Sequence, residues 1–199
     1  MKLMRALPVA FLLAFLSGSA ASPRLTPPTL RLGDNVRPTR YAVELEVVPT
    51  RDTFTGTIDI DVRLLEAEPV IWLNARNLTI KSAAIEAGGK TMQATPALRH
   101  DDVLGLQASE PVPAGPARIR ISYEGKFFQK SSEGLFVNKL AGDSYVFSQF
   151  EPTAAREAFP CFDQPQFKTP WQLTLRVPSG DSAFSNTPVL SESAAAGGL

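Results

Sequence analysis

Residues Thr57 to Leu64 read TIDIDVRL, with Ile58, Ile60, Val62 and Leu64 alternating against Thr57, Asp59, Asp61 and Arg63. A period of two sends the four aliphatic side chains to one face and the polar ones to the other, which is the pattern of a half-buried strand. The same period recurs in both directions along the chain. Tyr41, Val43, Leu45 and Val47 alternate with Ala42, Glu44, Glu46 and Val48; Leu78 and Ile80 with Thr79 and Lys81. Ile119, Ile121 and Tyr123 alternate with Arg118, Arg120, Ser122 and Glu124, and Leu173, Leu175 and Val177 with Gln172, Thr174 and Arg176. Turn-forming residues separate these runs at Pro49–Asp52, Gly88-Gly89, Pro113–Pro116, Gly142-Asp143 and Pro178–Asp181. Many short strands without a long helical period predict an all-β fold, a mainly antiparallel curved sheet or sandwich. One short helix is expected, capped by Thr153, formed by Ala154–Phe159 and ended by Pro160.

The ends of the chain read differently. Lys2 and Arg5 precede an apolar run from Leu7 to Leu16, and small residues follow from Ser17 to Ala21. Positive, then apolar, then small is the order of a secretory signal peptide, and the run is shorter than the ~20 residues of a spanning helix. Residues 1–21 are therefore expected to be a signal peptide cleaved after Ala20 or Ala21, with export to a periplasmic or extracellular space. Residues 22–38, with Pro23, Pro27, Pro28 and Pro38, are expected to form an extended Pro-rich lead-in. The β-domain is expected over 39–199. Its last segment, Ser191–Leu199, reads as a loop, so the domain is expected to be incomplete at its C-terminus.

A chain of 199 residues is about one domain's worth. Twenty basic and twenty acidic side chains leave no basic footprint for a nucleic-acid partner. One cysteine, Cys161, forbids an intrachain disulfide. With one histidine, His100, it also cannot build a Cys/His zinc cluster or a helix carrying two histidine ligands.

The stretch Ser148–Lys168, SQFEPTAAREAFPCFDQPQFK, breaks the alternation and is dense in Phe, Pro and charge. Tyr145, Phe147, Gln149 and Glu151 are expected on one strand face, with Phe150 opposite and Pro152 ending the strand. A carboxylate and an amide presented together can recognise a small polar group: the carboxylate accepts from an ammonium, and the amide both donates and accepts.

This stretch resembles the signature T/S-Q-F-E-P-T-A-A-R-x-A-F-P-C-F-D-E-P of the aminopeptidase N family of zinc metallopeptidases, the gluzincins. It is most like the oxytocinase and endoplasmic-reticulum aminopeptidase branch. Val36–Tyr41 is similar to that family's opening L-P-x-x-Y strand, Phe54-Thr55-Gly56 to its F-x-G turn, and Phe184–Pro188 to its S-N-x-P. The resemblance implies the family's saddle-like N-terminal β-domain. It also implies that Glu151 binds the free α-ammonium of a peptide substrate and that Gln149 lines the first side-chain pocket. Arg156, Phe159, Cys161, Phe162 and Asp163 match the scaffold part of the motif. Implied partners are peptide N-termini and a catalytic domain to pack against. The chain departs from the pattern at Gln164, where Glu is usual. It lacks the family's G-A-M-E-N and H-E-x-x-H segments. Zinc is thus expected in a complete parent enzyme, with none bound by this chain, and the chain alone is expected to be inactive.

Other readings stand beside these. Without the resemblance, Glu151 reads as a solvated strand-end carboxylate; the alternative for the whole chain is a stand-alone, secreted, non-catalytic β-sandwich binding module, a family-like β-domain without its catalytic partner. Cys161 lies in an apolar setting that favours an inert thiol over a Cys161–His100 nucleophile pair. Asp59 and Asp61 suggest calcium but lack a full loop pattern. Glu151 and Asp163 have no fixed separation to make a glycosidase pair. Gly88-Gly89-Lys90 reads as a hairpin turn rather than a phosphate loop.

Overall fold

A computed structural model describes residues 26–99, 102–195 and 197–199. The signal peptide expected at 1–21 and His100 of the Cys161–His100 pair lie outside the described residues. Among the described residues ten strands follow in order: β1 Val36–Glu46, β2 Thr53–Leu64, β3 Glu68–Asn74, β4 Leu78–Ala87, β5 Lys90–Arg99, β6 Val103–Val112, β7 Gly115–Lys126, β8 Gly134–Leu140, β9 Asp143–Gln149 and β10 Trp171–Arg176. Eight form one curled sheet in the order β10-β1-β2-β7-β4-β5-β6-β3, and β8–β9 form a separate hairpin. The fold is all-β, as the alternation requires, but the sheet is mixed. β10 runs parallel to β1, a long-range pairing that local periodicity does not encode.

The centre of the sheet follows directly from the alternating runs. Ile58 and Ile60 of β2 face Ile121 and Ile119 of β7, all four fully buried. On the wet face, Asp59 pairs with Arg120 at 2.7 Å and Asp61 with Arg118 at 2.6 Å. Both carboxylates are thus held by arginines, which disfavours the calcium reading. Gly88 and Gly89 take φ of +57° and +77°, the left-handed backbone of a tight β4–β5 hairpin. Ile71 and Leu73 of β3 and Leu104 and Leu106 of β6 extend the core, and Ala158, Phe159, Cys161 and Phe162 close over it from the motif segment.

Three local expectations are corrected. β1 begins at Val36, so the lead-in stops short of Pro38. Proline is tolerated there because the β1–β2 register shifts between Pro38 and Arg40, at a bulge. The expected helix shrinks to a 3-10 turn, Ala155–Glu157, preceded by Ala154 with no side-chain cap; Thr153 is exposed and caps nothing. β9 ends at Gln149 rather than continuing through Glu151.

Candidate functional site

The end of the β8–β9 hairpin carries the two residues singled out from the sequence. Gln149 pairs with Gly134 in the final rung, and the chain then leaves the strand. Gln149 and Glu151 are both exposed. They are brought together by a turn rather than by strand alternation: the Glu151 backbone N–H donates to Gln149 Oε1 at 3.1 Å. That bond ties the Gln149 amide oxygen to the Glu151 backbone at the surface. Among the described residues, Glu151 forms no ion pair. Phe150, between them, turns inward and meets the ring of Phe159 edge-on at 5.4 Å.

Behind this exposed pair the motif is fastened to the sheet. Ala154 N–H donates to Phe150 O at 2.8 Å, starting the 3-10 turn. Asn74, at the end of β3, exchanges backbone bonds with Cys161, at 2.8 and 3.0 Å. Its side-chain Oδ1 accepts from Asp163 N–H at 3.1 Å. The Tyr41 hydroxyl accepts from Phe162 N–H at 3.0 Å. Burial, and the nearby Cys161, push the Tyr41 phenol far above its ordinary range. Burial likewise pushes the Cys161 thiol well up, with Asp163 adding to the shift, so this sulfur is a packing group in an apolar wall.

A chain of alternating charges ties the motif to two turns of the sheet. Arg156 Nε donates to Asp163 Oδ2 at 2.8 Å, and its Nη1 reaches Asp102 Oδ2 at 3.3 Å. Asp102 Oδ1 in turn meets Arg76 Nη1 at 3.4 Å, and Arg76 Nε donates to Glu157 Oε1 at 2.8 Å. Asn77 Nδ2 also donates to Glu157 Oε1, at 3.2 Å. Burial works against the charge on Arg76, yet bonding and attraction from Glu157, then Asp102, raise its pKa overall. Arg156 and Glu157 are buried, and a buried charge needs such partners. The Asn74, Arg76, Asp102 and Glu157 contributions have no signature in the sequence, because their partners lie from 26 to 89 residues away.

Two recesses among the described residues lie away from Gln149 and Glu151. An open groove of about 680 Å³ runs past Thr39, Asp61, Glu86, Lys90 and Arg118, where Arg118 and Lys90 already hold acidic partners. A smaller space of about 100 Å³ lies behind the motif, between Asn74, Asp102, Arg156 and Asp163 and the lead-in residues Pro28–Leu32. Gln149 and Glu151 therefore form an open edge able to make one wall of a site, not an enclosed pocket. The available donors do not fit a zinc centre. Among the described residues no three His, Cys, Asp or Glu side chains converge, and the cysteine is sealed in the core.

Comparison with known proteins fits this geometry. The peptidase M1 N-terminal domain model matches residues 37–198. Aminopeptidase M1-A of Oryza sativa subsp. japonica is 33% identical over 81% of this chain and 20% of its own length. Endoplasmic reticulum aminopeptidase 1 of Homo sapiens is 32% identical over 85% of this chain and 19% of its own length. A crystal structure of the M1 zinc metallopeptidase of Deinococcus radiodurans shares the fold, with a TM-score of 0.65 at 21% identity, covering 82% of this chain and 37% of that one. The chain spans about one fifth of the length of the curated relatives it matches. With its curled sheet, its motif fastened over the core and a family match across nearly all the described residues, the chain belongs to the peptidase M1 N-terminal domain family.

Proposed function

We propose that this chain is the substrate-end recognition domain of an exported zinc aminopeptidase that removes N-terminal residues from peptides. Glu151 would hold the substrate's α-ammonium, and Gln149 would line the pocket for the first side chain. The observation that carries this reading is an exposed carboxylate, without an ion pair among the described residues, beside an amide bonded to its backbone, mounted on a part-buried ion-pair chain. An exopeptidase must measure from the chain end, and an ammonium–carboxylate hydrogen bond of about 1.5–3 kcal/mol does so. A blocked N-terminus would leave the carboxylate unpaired and be rejected.

The remaining apolar surface supports a packing partner. Tyr145 and Phe147 on β9, Leu140 at the hairpin tip, and Trp171 and Leu173 on β10 are exposed. A catalytic domain docked there would cover them. Zinc chemistry, which polarises the scissile carbonyl and activates water, would belong to that domain, and no step of it is assigned to residues of this chain.

The test is Glu151→Gln in the complete peptidase, which keeps the shape and removes the charge. kcat/KM for an aminoacyl chromogenic substrate should fall by roughly tenfold or more. A value within twofold of the parent would remove Glu151 from the site.

A further inference from the structure

Phe150, the residue between Gln149 and Glu151, is the last ring of a continuous aromatic chain that reaches the edge of the main sheet. Phe150 meets Phe159 edge-on at 5.4 Å, Phe159 meets Trp171 at 4.9 Å, and Trp171 stacks on Tyr41 at 4.2 Å with an interplanar angle of 8°. The three contacts are edge-on, tilted and stacked in turn, all close enough for the rings to touch. The far end is fixed. Tyr41 is buried, it opposes Trp171 in the β1–β10 register, its N–H donates to Pro170 O at 3.0 Å, and its hydroxyl holds Phe162 N–H. Trp171 is the exposed link, 47% accessible on an edge strand.

We infer that Trp171 is a positioning residue for the recognition site, setting the backbone of Gln149–Glu151 through Phe159 and Phe150. The parallel β10 strand, remote in sequence from the hairpin, thereby orients the end of β9. This rests on the reading of Glu151 and Gln149 as the amine-recognising pair, but the coupling itself is measurable without any substrate. Phe150 O accepts from Ala154 N–H, so exchange of that amide reports where Phe150 sits.

The experiment is amide hydrogen exchange on the 199-residue chain and three variants. Trp171→Ala is expected to speed exchange at Ala154 roughly tenfold while Ile119 and Ile121, in the core of β7, change less than twofold. Trp171→Phe should restore the parent rate within about twofold, and Trp171→Leu, which keeps bulk without a ring, should not. Should Trp171→Ala fail to fold, the Phe and Leu variants decide the matter between them. Parent-like exchange at Ala154 in Trp171→Leu, or in a folded Trp171→Ala, overturns the inference. So does equal acceleration at Ala154 and in the core, which is general loosening. Glu151→Gln kinetics test the amine reading separately, so failure of either is told apart from failure of the other.

Discussion

Cys161 illustrates how much a single position depends on its surroundings. Its thiol is 3% exposed, between Phe159 and Phe162, and burial raises its pKa. The thiolate needed for attack on a disulfide reagent is thus suppressed and shielded. In the native chain Cys161 should label with a colourless-to-yellow disulfide reagent far more slowly than after denaturation. Rapid, stoichiometric labelling of the folded protein would show that the wall is open. At Gly56 the constraint is steric. A Cβ there would collide with the ring of Tyr123 directly across the β2–β7 ladder. Tyr123 is fully buried and cannot swing out, so Gly56→Ala should lower unfolding stability by about 1–3 kcal/mol. Urea unfolding of the two proteins measures this.

The elements differ in how plainly the sequence announces them. β2 and β7 are strict alternators, and their positions follow from Ile58, Ile60, Ile119 and Ile121 alone. β3 contains Val70-Ile71-Trp72-Leu73, a continuous apolar run whose period cannot tell a strand from a buried helix turn. β5 holds Pro96 and β6 holds Gly105, both of which weaken a strand pattern. The candidate site was legible as residue types, since Gln149, Glu151 and the motif stand out from their surroundings. Its geometry was not, because the turn after Gln149 and the support behind it come from distant segments. Arg156 shows this best: it joins the motif to Asp102 and shares that aspartate with Arg76. Arg156→Met keeps the length of the side chain and strands the Asp163 carboxylate. Asp102 is partly exposed and can rehydrate, so the loss should be about 2–3 kcal/mol rather than the full cost of opening a fully buried pair. Arg76→Met strands the Glu157 carboxylate, which is 5% exposed and keeps the Asn77 amide as a donor, so it should cost at least as much. Equal and negligible effects in denaturant titrations would mean that the charge chain does not hold the motif.

At the scale of the whole molecule, two buried tyrosines set a limit on alkaline stability. Burial raises both Tyr41 and Tyr123 far above the ordinary value of 10.0. The folded chain therefore keeps both phenolic protons when the unfolded chain begins to lose them. The stabilisation is complete below pH 10 and declines as pH rises beyond it, by up to about 1.4 kcal/mol per pH unit for each tyrosine. Urea midpoints should be flat from pH 7 to 9 and fall at pH 11. A midpoint that rises over that interval would contradict the burial of these phenols. The exposed rings of Tyr145, Phe147 and Trp171 should also make the isolated chain self-associate, seen as an early and concentration-dependent peak in size-exclusion chromatography.

On the proposed reading, this domain would hold the substrate's end and a metal-bearing domain of the complete peptidase would carry out the hydrolysis. The most direct test is hydrolysis of an aminoacyl chromogenic substrate by the 199-residue chain, with and without added zinc. No turnover above buffer is expected in either condition, since one histidine and a sealed cysteine cannot assemble the metal site. Robust turnover abolished by a chelator would contradict the account.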